Sequence, residues 1–73
     1  MTTDISYSIP ERANVTLTVY DQLGRTVEQL VTGMREPGTY KITFNADALP
    51  AGVYYYELRA NDHVQGKLMQ VLR

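Results

Sequence analysis

The stretch Leu49-Pro50-Ala51-Gly52-Val53-Tyr54-Tyr55-Tyr56-Glu57-Leu58 restricts the folds open to this chain more than any other. Pro50 holds φ near the value a turn needs at its second position, and Gly52 takes the positive φ that other residues resist. Val53 and three consecutive tyrosines follow at once, all residue types that pack well on a pleated surface. Tyr54, Tyr56, Leu58 and Ala60 share one face of this strand, and Val53, Tyr55, Glu57 and Arg59 the other. The first set is the better core face, because the second ends in charges. The reading is a central strand with Tyr54, Tyr56 and Leu58 buried and Tyr55 partly exposed.

The rest of the chain alternates in the same way. Ile5, Tyr7 and Ile9 alternate with serines up to Pro10, and Val15, Leu17 and Val19 alternate with Thr16 and Thr18, whose face is expected to meet water. Asp21-Gln22-Leu23-Gly24-Arg25 has the chemistry of a tight hairpin loop: the Asp21 side chain bonds backbone two residues on, and Gly24 closes a bulged turn. Val27, Leu30 and Val31 fit either a helical face or a bulged strand. A hairpin turn before them and a strand after them favour the strand. Gly33 and the Glu36-Pro37-Gly38 corner are expected to break the chain before the strand of Tyr40, Ile42 and Phe44. Asn61-Asp62 has the composition of a two-residue hairpin turn. The final strand runs from about His63 to Leu72, with Gly66 as a bulge, Gln70 outside, and Met69 and Val71 facing in. Six to seven short strands with frequent turn signals and no convincing helix predict an all-β fold, a small antiparallel sandwich.

Seventy-three residues make one domain, 1–73, in which little more than about 60% of the unfolded chain's surface is buried on folding. Small domains often add disulfides, but the absence of cysteine excludes a disulfide scaffold and a thiolate metal site. Seven basic and eight acidic residues, with no block of like charge, favour neither nucleic acid nor an anionic membrane surface. No segment approaches the ~20 apolar residues of a membrane-spanning helix. Met1 stands before a polar Thr2-Thr3-Asp4 and then a strand, not before a signal peptide. The expectation is a domain excised from a larger protein that continues upstream.

No residue set carries catalysis or a cofactor. His63 is the single histidine and sits beside a turn, where a solvated role outweighs metal ligation. Asp4, Asp21, Asp47 and Asp62 lie near strand ends without the dense spacing of a calcium loop. Ser6 and Ser8 lack a paired base. The tyrosines offer one further chemistry, sugar stacking, for which Tyr55 on the outer face is the candidate.

Five blocks together resemble a known family. Val19-Tyr20-Asp21-Gln22-Leu23-Gly24-Arg25 is similar to the VYDxLGR hairpin of the C-terminal sorting domains of the bacterial type IX (Por) secretion system. Glu36-Pro37-Gly38-Thr39-Tyr40 resembles their PAGxh corner, and Leu49 to Tyr56 their LPxGVYxY block. Lys67-Leu68-Met69-Gln70-Val71-Leu72-Arg73 resembles the terminal motif, departing from it at Gln70, where an apolar residue is more usual. Ile5-Ser6-Tyr7-Ser8-Ile9-Pro10 is similar to IxYxLP.

The resemblance implies an Ig-like fold, and the Ig-like module of the flagellar hook-capping protein shares two of the blocks. It also implies a non-catalytic sorting and recognition domain behind an N-terminal cargo domain. By the resemblance, such a domain takes its secreted cargo through the periplasm and outer membrane to the outside or the cell surface. It is recognised by outer-membrane secretion machinery and often removed by a sortase-like cysteine peptidase that attaches the cargo to surface lipopolysaccharide. The structural positions it points to are Gly24, Gly38, Pro50, Gly52, Tyr54 and Tyr56. Two alternatives stand beside it, a structural spacer of hook-cap type and a carbohydrate-binding accessory domain. The last strand is the expected recognition element. Leu68 and Leu72 give a partner an apolar grip, Lys67 and Arg73 are charged flanks, and the same edge permits strand exchange into a homodimer.

Overall fold

The computed structural model describes residues 2–47 and 49–72; Met1, Ala48 and Arg73 lie outside the described residues. The described chain forms six strands, β1 (Thr2–Ile9), β2 (Ala13–Tyr20), β3 (Thr26–Arg35), β4 (Gly38–Asn45), β5 (Gly52–Ala60) and β6 (His63–Val71). All pairings are antiparallel. β1 and β4 form a two-stranded sheet, and the other four form a second sheet in the order β3-β2-β5-β6. The architecture is an all-β sandwich with unequal layers.

The alternation of β2 builds the centre. Val15, Leu17 and Val19 are fully buried and meet Ile5, Tyr7, Ile9 and Phe44 from the smaller sheet, with Val31 and Tyr54 alongside. β5 is an interior strand as expected, but β2 is the deepest. The threonine face of β2 departs from expectation, because Thr18 is buried. It stands in register between Gln29 of β3 and Glu57 of β5, so long side chains on both neighbouring strands flank it.

The ambiguous spacing of Val27, Leu30 and Val31 has a structural cause. The β2–β3 register shifts twice, so that Leu30 and Val27 are each passed over in the pairing. Two bulges thereby turn Val31 into the core and leave Val27 and Leu30 packed against it. A helix-like spacing thus serves a strand. Gly33 does not break the chain. It pairs with Val15, and β3 continues to Arg35.

β6 holds a continuous register against β5, with Gly66 opposite Glu57 and no bulge. Glycine is needed there for another reason: a Cβ at Gly66 would run into the Tyr55 phenol, which lies across it. The Asn61-Asp62 turn is as expected, joining Ala60 to His63 with Asn61 at φ +54°. Asn61 also accepts from the Asn14 amide through Oδ1 and donates its own amide to the Asn14 carbonyl, each at 3.1 Å.

Two connections that cross between the sheets use the same device. Pro37-Gly38-Thr39-Tyr40 opens β4, and the Tyr40 hydroxyl donates to the Glu36 carbonyl four residues upstream. Pro50-Ala51-Gly52-Val53-Tyr54 opens β5, and the Tyr54 hydroxyl donates to the Pro50 carbonyl at 2.7 Å, again four residues upstream. The glycines two positions before each tyrosine have φ of +152° and +156°, a region that side chains with a Cβ rarely adopt.

Tyr54→Phe removes one neutral hydrogen bond, worth about 1 kcal/mol. In a domain of this size the loss is expected to lower Tm by about 4–8 °C. Tyr54→Ala also vacates core volume and is expected to cost about 3–5 kcal/mol. Gly52→Val, strained at its backbone, is expected to cost more than ~1 kcal/mol. Thermal melting of the three variants ranks them; a Gly52→Val protein that melts like the parent would refute the corner.

Candidate functional site

The hairpin after β2 is built by one carboxylate. Asp21 Oδ1 accepts from the amides of Leu23 (2.9 Å) and Arg25 (3.0 Å), while Oδ2 accepts from Arg25 Nε at 2.8 Å. The Asp21 amide donates to the Arg25 carbonyl and the Gly24 amide to the Asp21 carbonyl, both at 3.0 Å, and Gly24 closes the turn at φ +82°. The Arg25 amide bond, followed by the Arg25 side chain and the Leu23 amide, holds the Asp21 carboxyl below its ordinary pKa against a smaller opposing effect of desolvation. With its polar groups turned back on Asp21, the loop leaves the Leu23 side chain 78% exposed.

This hairpin and the Leu49–Gly52 turn lie at the same end of the sandwich. They line a hollow of about 340 Å³ whose walls include Leu23, Arg25, Pro50 and Tyr54. A shallower depression joins Asp21 and Gln22 to Val53, Tyr55 and Leu68. Three blocks far apart in sequence therefore meet at one end. The exposed Leu23 was not singled out from sequence, where it reads as a loop residue; its signal was an apolar side chain at the tip of a loop that otherwise satisfies itself.

The residues expected to form the recognition element do not share a face. Leu68 (73% exposed) and Leu72 (60%) are exposed, and Leu68 stands in register with Tyr55 on the outer face. Lys67 stands opposite Tyr56, on the face that looks toward the smaller sheet. Arg73 lies outside the described residues. Gln70 is exposed and pairs with Val53, while Val71 is buried and Met69 half-buried. The terminal strand thus has the inward pair expected of it.

The tyrosines are placed in three ways. Tyr54 is buried, but Tyr56 and Leu58 are only half-buried, contrary to the expectation of a fully covered face. The two-stranded sheet does not extend over them. Tyr7 stacks on Tyr40 at 5.3 Å. Burial pushes the Tyr7 phenol above its ordinary pKa, and the positive charge of Arg35 opposes that shift. Tyr55 is half-buried beside Tyr20, the rings tilted 32° apart. His63 is exposed at the last hairpin. Among the described residues no three histidines or carboxylates gather as a metal site, and no helix is long and apolar enough to cross a membrane.

The depressed Asp21 pKa gives a signed pH dependence. The stabilisation is fully present above the unfolded carboxyl pKa, about 4, and is lost as pH falls through the lower folded value. The Tm difference between the parent and Asp21→Asn is therefore expected to be constant above about pH 5 and to narrow below about pH 4. A difference independent of pH would assign the loop's order to neutral hydrogen bonds alone.

The model of the family described as secretion system C-terminal sorting domain matches residues 2–71, from the first residue of β1 to the last of β6. Neither the curated proteins nor the solved structures gave a match. Domains of this family are not catalytic; they are the C-terminal signals by which type IX secretion carries cargo through the periplasm and outer membrane to the cell surface or extracellular space. The antiparallel sandwich and the family match together establish that this chain belongs to the type IX secretion C-terminal sorting domains.

Proposed function

We propose that the sorting signal is read at β6, with Leu68 and Leu72 as the apolar contacts and Lys67 and Arg73 as the charged ones. The observation that carries this reading is the state of β6. Among the described residues it pairs only with β5, so one edge keeps its backbone donors and acceptors free; its outer face presents the exposed Leu68, and the exposed Leu72 follows its last residue. An unpaired edge with apolar side chains at alternate positions is the surface to which another chain adds a strand. The depression joining Leu68 to Gln22 and Val53 supports the reading, because it extends the surface to the hairpin end. In this reading the domain is one folded unit behind its cargo. Its partners are the outer-membrane export machinery and then the cysteine peptidase that releases the cargo for attachment.

The test fuses the domain to an exported reporter and compares three changes that spare the buried core: Leu68→Ser, Lys67→Gln and Arg73→Gln. Periplasmic retention of the Leu68→Ser fusion, with Tm within about 2 °C of the parent, is the expected result, since surface substitutions usually stay within about 0.5 kcal/mol. The two charge changes are expected to reduce surface delivery less. Full export and attachment of all three variants would remove β6 from recognition.

A further inference from the structure

The two layers of the sandwich do not match, and the mismatch leaves a groove. Two strands lie over four. The smaller sheet covers β2, whose Val15, Leu17 and Val19 are fully buried, but leaves open the inner face of β5 and β6 beyond the end where Tyr54 and Val71 are buried. There Tyr56, Leu58 and Ala60 are half-buried. Their register partners Lys67, Gln65 and His63 are exposed although they share that inward face. Between this floor and residues Ile5 to Tyr7 of β1 lies a hollow of about 440 Å³. A second, of about 180 Å³, runs on from Ser8 past Ala13 toward His63, and Leu58 and Gln65 line both. The groove follows β1 along most of its length.

The wall of this groove has a specific chemistry. Among the described residues β1 pairs on one side with β4 and has no strand on the other, so its groove-side edge carries a row of free backbone donors and acceptors. Eight residues of strand offer about 26 Å of such edge. The ends of the groove differ in charge. Lys67 lines it beside Tyr7 and Glu11 beside Ile9, and neither makes an ion pair among the described residues.

We propose that the groove is a receptor for one extended segment of another polypeptide, which pairs with the free edge of β1 and lies over β5 and β6. The segment alternates, with apolar side chains pointing down onto Leu58 and Tyr56, a carboxylate at the Lys67 end and a cation at the Glu11 end. A small apolar ligand fills the floor and leaves the β1 edge unsatisfied, whereas a strand answers both. A second copy fits poorly. It brings to the groove its own exposed, polar His63, Gln65 and Lys67 rather than the alternating apolar side chains that would cover Tyr56 and Leu58. This site is separate from the outer face and free edge of β6, and its test does not depend on secretion.

The probe is a capped nine-residue peptide that alternates valine and threonine, with glutamate near one end and lysine near the other. Added to the isotope-labelled domain, it is expected to shift the amide resonances of Ile5 to Ile9 and to slow their hydrogen exchange at least roughly tenfold when bound. Lys67→Glu is expected to weaken binding about tenfold, and a peptide with lysine near both ends to recover it. A peptide N-methylated along one edge should not bind, since it cannot donate to β1. The proposal is overturned by shifts confined to the outer edge of β6, by self-association of the domain through the groove in sedimentation, or by no response at roughly 1 mM peptide.

Discussion

Two hydrogen bonds between a tyrosine hydroxyl and a carbonyl four residues upstream set the frame of this domain. Each lies where the chain leaves one sheet for the other. At such a crossing the backbone has to turn sharply and then enter a strand in the correct register. The glycine with positive φ makes the turn, and the tyrosine anchored to the turn's own carbonyl fixes how the strand begins. Because a one-residue slip would exchange the faces of a strand, this placement decides which tyrosines look inward. In β5 the anchored residue is Tyr54, and from it the half-buried Tyr56 and Leu58 and the outward Tyr55 follow.

The unequal layers connect the packing to the biology. A sandwich closed on both sides would bury every inward residue of the four-stranded sheet. Here Val31, Tyr54 and Val71 are buried beside β2. From Tyr56 and Lys67 on toward the last hairpin, however, the inward residues of β5 are half-buried and those of β6, Lys67, Gln65 and His63, are exposed. The domain is therefore packed at its centre, and among the described residues β1, β3, β4 and β6 each keep one unpaired edge. Natural sheets usually blunt such edges with charges, prolines or bulges. β6 has Lys67 on one face, yet its other face shows the exposed Leu68 and its register is unbroken. An edge left available in a secretion signal is consistent with a domain that is read by strand pairing.

The Asp21 hairpin makes a different contribution. One carboxylate accepts from two amides and a guanidinium, so the loop is ordered without packing against the core. That economy frees Leu23 to stand exposed beside the turn at Pro50. The hairpin and turn blocks that carry the family resemblance thus meet in a single hollow at one end, close to Leu68.

Much of this was legible in the residues. Alternation with period two marked β1, β2, β4 and β5, and Asp21, Gly24 and Asn61-Asp62 marked the two hairpins, because turn chemistry is local and acts within a few residues. The family blocks identified the sorting domain by the same local signals. What the residues could not determine was which strands pair, and which faces the second sheet covers. Alternation says that Tyr56 and Lys67 can face inward, but burial depends on whether another layer lies above them, and among the described residues the smaller sheet leaves Tyr56 half-buried and Lys67 exposed. The same reason explains Thr18, buried on a face that looked polar, and Gly66, which clears space for Tyr55 in a continuous ladder. Gly33 stays within β3 because its pairing with Val15 outweighs a glycine's local tendency to end a strand. The helix-like spacing of Val27, Leu30 and Val31 became a core face only through bulges that exist relative to β2. Local propensity fixed the elements; the number of strands in each layer, a property of the assembled chain alone, decided the groove and the open edges.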